Sequence, residues 1–187
     1  MIGGGITTAQ DMIGNAYAMV TLALRFCEGC EAGIIKPEFC NRQIKIDTGG
    51  PGLTLSPQTF TTEKLIDVSY NLFLGAIGLT AIIVDQALDQ KYGRKDPLDQ
   101  SNLGSIRSII YQIRNAFAHE PQNPSWLIRG DYLRIYEIDI KGLNLTFDAQ
   151  SLNGKKLVPK HYGGFEGYFA MLKYCYDQVS RHDNGTS

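Results

Sequence analysis

The stretch Ile106-Arg-Ser-Ile-Ile-Tyr-Gln-Ile113-Arg-Asn-Ala-Phe-Ala-His119-Glu-Pro121 decides the fold class. Ile106, Ile109, Ile110, Ile113 and Phe117 recur at the spacing that lines one face of an α-helix, because 3.6 residues make a turn. Arg107, Tyr111, Arg114 and Asn115 fall off that face and are expected to point away from the core. Pro121 disfavours helical geometry at Glu120, so the helix is expected to end at or just after His119. Arg114 and His119 lie about 140° apart around an ideal helix. They converge on one substrate only if the last turn loosens or if a second copy of the chain completes the site.

On the N-terminal side, residues 9 to about 32 read as a first helix, from the spacing of Met12, Ile13, Ala16, Met19, Val20, Ala23 and Leu24, with Gly33 as its stop. Residues 33–60 carry Pro37, Gly49-Gly-Pro-Gly52 and Pro57 with little periodicity. They read as a long loop holding a short strand at Ile44–Ile46. Thr61 or Thr62 caps a second helix that runs to about Tyr92, with Glu63 in its first turn and Gly93 as its end. Its centre, residues 72–84, is nearly all apolar. That stretch is too short to cross a bilayer, so this helix is expected to be the most buried one. Asp99 or Ser101 opens the third helix, which carries Arg114 and His119.

On the C-terminal side the period drops to two over residues 126–158. Leu143, Leu145 and Phe147 alternate with Asn144, Thr146 and Asp148, and Gly130, Lys141-Gly142 and Asn153-Gly154 supply turns. Gly163-Gly164 precede a last helix from about Phe165 to about Arg181, with Phe165, Tyr168, Phe169, Leu172 and Tyr176 on its inner side. Trp126 and Tyr162 are expected to anchor the β segment. The expected architecture is a mainly α single domain over 1–187. It is a four-helix up-and-down bundle with a small antiparallel β insertion between helices three and four.

With 187 residues and 43% hydrophobic content, the chain can bury a sizeable core. A formal net charge of -1 argues against a broad basic surface that coats nucleic acid, so any RNA contact must be local. No charged n-region and apolar h-region open the chain, and the expected location is the cytoplasm. Cys27 and Cys30 form a C-x2-C followed by Cys40, with Cys175 far away. Lacking a nearby fourth ligand, these thiols are expected to be reduced and free of metal. No nucleotide-binding glycine motif or internal repeat is present, and no cofactor is expected.

Cleaving RNA without a metal needs a base for the 2′-hydroxyl proton, an acid for the leaving 5′-oxygen, and positive charge on the phosphorane between them. Imidazole titrates near neutral pH and serves as base or acid, while guanidinium stays charged and matches phosphate oxygens with a planar fork. His119 and Arg114 fit those tasks, and Asn115 can orient either the imidazole or the phosphate. Arg107 and Tyr111, on the polar side of the same helix, are candidate substrate-binding residues, Tyr111 by stacking on a base or by packing at an interface. Lys91, Arg94 and Lys95 are either a small phosphate-steering patch or a solvated helix end. The bland alternative pairs Arg114 with a carboxylate such as Asp85 and leaves His119 as a cap at the negative end of the helix dipole.

Arg114, Asn115 and His119 carry a resemblance to the HEPN superfamily, whose signature is Arg, four to six residues, then His, with a polar residue directly after the Arg. The order of helices along the chain is similar to that family too. Some toxin members place a Tyr two residues after the His, where this chain has Pro121. The resemblance implies a homodimer meeting through the third helix, with the two Arg114 and His119 pairs facing each other. It also implies a metal-independent endoribonuclease that leaves 2′,3′-cyclic phosphate and 5′-hydroxyl ends, of the toxin or phage-defence kind, with an antitoxin or another protein as partner and no membrane. The competing expectations are a catalytically silent module of the same family that binds a nucleotide, RNA or a protein, and a purely structural dimer.

Overall fold

The computed structural model of the chain describes residues 8–46, 53–55 and 59–183. The Gly49-Gly-Pro-Gly52 and Pro57 positions and both chain ends lie outside the described residues. In chain order the elements are α1 (Ala9–Glu31), α2 (Pro37–Cys40), β1 (Ile44–Ile46), β2 (Leu53–Leu55), α3 (Thr62–Tyr92), α4 (Asn102–His119), β3 (Ile135–Ile140), β4 (Leu143–Asp148), α5 (Ala149–Leu152) and α6 (Gly164–Asp183). The protein is mainly helical, and a small two-stranded antiparallel sheet, β3 with β4, lies between the third and last long helices.

The helix ends follow local chemistry. Thr8 and Asp11 make a reciprocal cap at the start of α1, with the Asp11 amide donating to Thr8 Oγ1 at 3.1 Å and the Thr8 amide to Asp11 Oδ2 at 3.2 Å. Thr61 Oγ1 accepts from the Lys64 amide at the start of α3, and Ser101 Oγ accepts from the Gly104 amide at the start of α4. Thr61 and Ser101 are therefore the caps among the paired alternatives. Gly93 adopts φ +75°, the left-handed turn that ends α3 without steric cost. Helix α4 stays regular through His119, and the chain leaves it at Glu120 with φ -148° and ψ 78°. The last turn does not loosen before His119.

The chain divides into two compact units, residues 21–74 and residues 1–20 with 75–187. In the smaller unit Ala23, Cys27 and Cys30 of α1 and Leu65, Ser69 and Phe73 of α3 are buried. Within the segment expected as a long loop with one short strand, β1 pairs with a second strand, β2, from Ile44 opposite Leu55 to Ile46 opposite Leu53. Asn41 fastens its end, giving its side-chain amide to the Phe60 carbonyl at 3.2 Å and taking the Phe60 amide at 2.7 Å. The thiols of Cys27, Cys30, Cys40 and Cys175 are free. Among the described residues no group of three or more His, Cys, Asp or Glu side chains has the geometry to hold a metal ion.

The larger unit holds the predicted site. Its core takes Ile13, Ala16 and Val20 from α1, Ile77, Ala81, Val84 and Leu88 from α3, all four isoleucines of α4, and Tyr168, Met171, Leu172 and Val179 from α6. Each fully buried isoleucine contributes about 1.5–3 kcal/mol. Gly78 of α3 sits against the Phe117 ring, where any Cβ would overlap it, so this glycine sets how closely α3 and α4 approach. Thr80 Oγ1 and Tyr168 Oη lie 2.8 Å apart, tying α3 to α6. In the sheet, Tyr136, Ile138, Leu143 and Phe147 face inward and Glu137, Asn144 and Thr146 outward. Trp126 is fully buried, edge-on to Phe147 at 5.1 Å, and its indole N–H donates to His161 Nδ1 at 2.9 Å. Tyr162 packs edge-on against Tyr168 of α6, with centroids 6.1 Å apart. Both aromatics thus tether the segments flanking the sheet.

The expectation that α3 is the most buried helix needs correction. An 18-residue window of α3 reaches mean hydropathy 1.6, so it is long and apolar enough to cross a membrane, and only 33% of that window is buried. Val68, Leu72 and Leu79 are exposed and Ile82 and Ile83 half-exposed. The cause is composition: apolar residues occupy the outward positions of this helix as well as the inward ones.

Candidate functional site

Four buried isoleucines, Ile106, Ile109, Ile110 and Ile113, hold α4 in place, and its remaining faces set the direction of each polar side chain. Asn115 and His119, one turn apart, line the same pocket of about 300 Å³ together with Tyr111, Gln112, Leu127, Arg129 and Tyr132. His119 is exposed and Asn115 half-buried. One wall of the pocket is α4. The other is the chain leading into the sheet, where a 3-10 turn at Gly130–Tyr132 brings Tyr132 onto Tyr111, with ring centroids 5.1 Å apart.

Arg114 is not in the lining of that pocket. Its Nη1 lies 3.6 Å from Asp85 Oδ2 on α3, and its guanidinium sits 5.6 Å from the Tyr111 ring centroid. Within one chain, then, Arg114 and His119 stand on different sides of α4. This agrees with the 140° expected from their spacing and with the regular last turn.

Behind Arg114 runs a ladder of alternating charge. Lys95 Nζ lies 3.0 Å from Asp85 and 3.0 Å from Asp89, and Arg107 Nη2 lies 3.0 Å from Asp89. Asp85 is almost wholly buried, and burial pushes its carboxyl above the ordinary carboxylate range, opposed first by the hydrogen bond from Lys95. Lys95 also caps the Tyr111 ring at 4.6 Å. Tyr111 is therefore packed against Tyr132 and two cations within the protein, while it still lines the pocket. Burial, and then the neighbouring Tyr111, push the Tyr132 hydroxyl up to about 12, leaving it a proton donor at neutral pH.

Arg107 departs from expectation. It is 8% exposed and is held by Asp89 and the Gly93 carbonyl, because the segment after α3 folds over it. Its guanidinium is structural and does not reach the pocket. The Lys95 side chain, read as part of either a phosphate-steering patch or a solvated helix end, is likewise buried, while Arg94 stays exposed.

Sequence reasoning missed Gln112, Leu127, Arg129 and Tyr132. Gln112 is 2% exposed and its side-chain oxygen has no hydrogen-bond partner among the described residues. A glutamine at position 112 inside an isoleucine-rich helix was the available signal, since a buried amide costs free energy unless satisfied. Arg129 and Tyr132 had none, because no spacing links them to α4. Comparison with protein-family models, characterised proteins and solved structures returns no significant match.

Proposed function

We propose that this protein is a metal-independent endoribonuclease of HEPN type, working in the cytoplasm as a homodimer. On this reading α1, α3, α4 and α6 form a four-helix up-and-down bundle, with the β3–β4 hairpin inserted between its third and fourth helices. The observation that carries it is the sorting of side chains around the end of α4. His119 and Asn115 open onto one pocket, and Arg114 stands outside it. A regular helix cannot bring Arg114 and His119 of one chain onto one phosphate, so a second copy supplies the missing partner. The apolar Leu79, Ile82 and Ile83 on α3 and the small exposed Ala118 on α4 suit a close approach of two copies.

In the composite site one imidazole takes the proton from a ribose 2′-hydroxyl and the freed oxygen attacks phosphorus. The bond to the 5′-oxygen breaks, the second imidazole protonates that oxygen, and guanidinium charge stabilises the phosphorane. The products are a 2′,3′-cyclic phosphate and a 5′-hydroxyl. A role as a toxin or in phage defence, with an antitoxin or other protein as partner, fits such a nuclease.

The test is cleavage of single-stranded RNA with chelator present. His119→Ala and Arg114→Ala should each lower the rate on the order of 10²-fold or more, with unchanged melting. Light scattering should give a dimer. Full activity in the double variant, or a monomer that cuts, would defeat the proposal. One observation favours a second reading: Arg114 already has a carboxylate and an aromatic face. That suits a catalytically silent module of the same family that binds RNA, a nucleotide or a protein. An uncut RNA that still binds at the pocket would select it.

A further inference from the structure

The pocket of Asn115 and His119 does not end at Arg129 and Tyr132. Those two residues also line a second groove of about 470 Å³, whose other walls are Arg94, Lys95, Asp96 and Pro97 after α3 and Gly130 and Asp131 of the 3-10 turn. The grooves adjoin across a shared side-chain wall. Of the three cations in the second groove, Lys95 is spent on Asp85 and Asp89. Arg94 and Arg129 are exposed, and neither makes an ion pair or hydrogen bond among the described residues, although Asp96 and Asp131 line the same groove. The Asp96 carboxylate instead accepts the Leu98 amide at 2.8 Å. Two free guanidinium forks beside a pocket with imidazole chemistry match the planar, bidentate demands of phosphate oxygens.

We infer that Arg94 and Arg129 form a phosphate subsite next to the reacting centre, so that the ligand is a single strand of RNA longer than a dinucleotide. The inference rests on the ribonuclease reading for the identity of the first pocket. Arg129, at the shared wall, holds the phosphate that follows the one in the pocket, and Arg94 holds the next. The net charge of -1 is compatible with this, because two local cations suffice where no broad basic face exists. The segment from Leu127 to Tyr132 thereby extends the site for a longer strand, and it lies in neither α4 nor its motif.

The experiment is calorimetric titration of the full-length His119→Ala protein, which leaves RNA intact, with an RNA octanucleotide and with a dinucleotide at several salt concentrations. Combining Arg94→Ala with Arg129→Ala should weaken octanucleotide binding about ten-fold and reduce its salt slope by about 1.4, for two phosphate contacts on a single strand. Dinucleotide affinity should fall much less. Arg94→Lys with Arg129→Lys keeps the charges and should restore the salt slope but only part of the octanucleotide affinity, because an ammonium lacks the planar fork. Equal losses for both ligands, unchanged octanucleotide binding in the double Ala variant, or no octanucleotide binding before the substitutions would overturn the subsite. If the unmodified protein binds the octanucleotide through these arginines yet cuts no RNA, the ribonuclease reading fails and the subsite stands.

Discussion

Arg107 and Arg114 sit two turns apart on α4, and each meets an aspartate of α3, yet the two ends of this helix treat them differently. Arg107 is 8% exposed, 3.0 Å from Asp89, and bonded also to the Gly93 carbonyl. The Arg114 side chain is 37% exposed and stands 3.6 Å from Asp85, whose other oxygen already has Lys95 at 3.0 Å. The difference is made by the chain after α3, which covers the start of α4 and leaves its end open. Residue type and helical phase are the same in both cases. Burial separates them: one guanidinium is locked into the fold, and the other stays partly open to solvent.

The sharpest way to break this contrast is to remove each arginine and read activity and stability together. Arg114→Ala should lower RNA cleavage on the order of 10²-fold or more, and move the urea midpoint little, because Arg114 is partly exposed and the buried Asp85 keeps Lys95 at 3.0 Å. Arg107→Ala should do the reverse, costing about 1.5–3 kcal/mol of stability because a buried charged donor to Asp89 and the Gly93 carbonyl is lost. An Arg107→Ala protein that melts normally but is inactive would show that the division of roles is wrong.

Lys95 sharpens the comparison, since it touches the aspartates of both arginines. In double-mutant cycles Lys95→Met should couple to Arg107→Ala by on the order of 1 kcal/mol, through the shared Asp89, and to Arg114→Ala by less. Equal couplings measured by urea unfolding would mean that the two ends of α4 form one network with no division of labour.

The smallest expected effect involves pH and neither arginine. Burial first, then the charges of Lys160 and Lys155, hold the His161 imidazole below its ordinary value of 6.5. The unfolded chain therefore binds this proton more readily than the folded one. The stabilisation from neutral His161 is complete above about 6.5 and is lost as pH falls below it. The melting temperature should decline on that acid side by less than the loss of one hydrogen bond, about 1 kcal/mol. His161→Gln should flatten the decline while the Arg107 and Arg114 variants keep it. A decline of the same size in His161→Gln would assign it to other groups.

What the sequence made legible follows the same line between local and distant causes. The bounds of α1, α3, α4 and α6 were readable because period and caps are local, as Thr61, Gly93 and Ser101 illustrate. The residue types at Arg114, Asn115 and His119 were readable as chemistry. Their grouping was not, since the wall carrying Arg129 and Tyr132 arrives from a segment with no spacing relation to α4. Nor was the burial of Arg107 and Lys95, which depends on how the chain after Gly93 folds back. Strand β2 was missed because three residues beside a Gly-Pro run carry too short a pattern to read.

The one tryptophan of the chain gives the insertion an optical signal of its own. Trp126 is sealed from water, edge-on to Phe147, with its N–H on an imidazole nitrogen. Its emission should be that of an apolar site and should move to longer wavelength when the hairpin undocks. Because Trp126 lines neither groove, ligand binding should leave its fluorescence unchanged, so one spectrum reports the integrity of the insertion while a separate assay reports the chemistry.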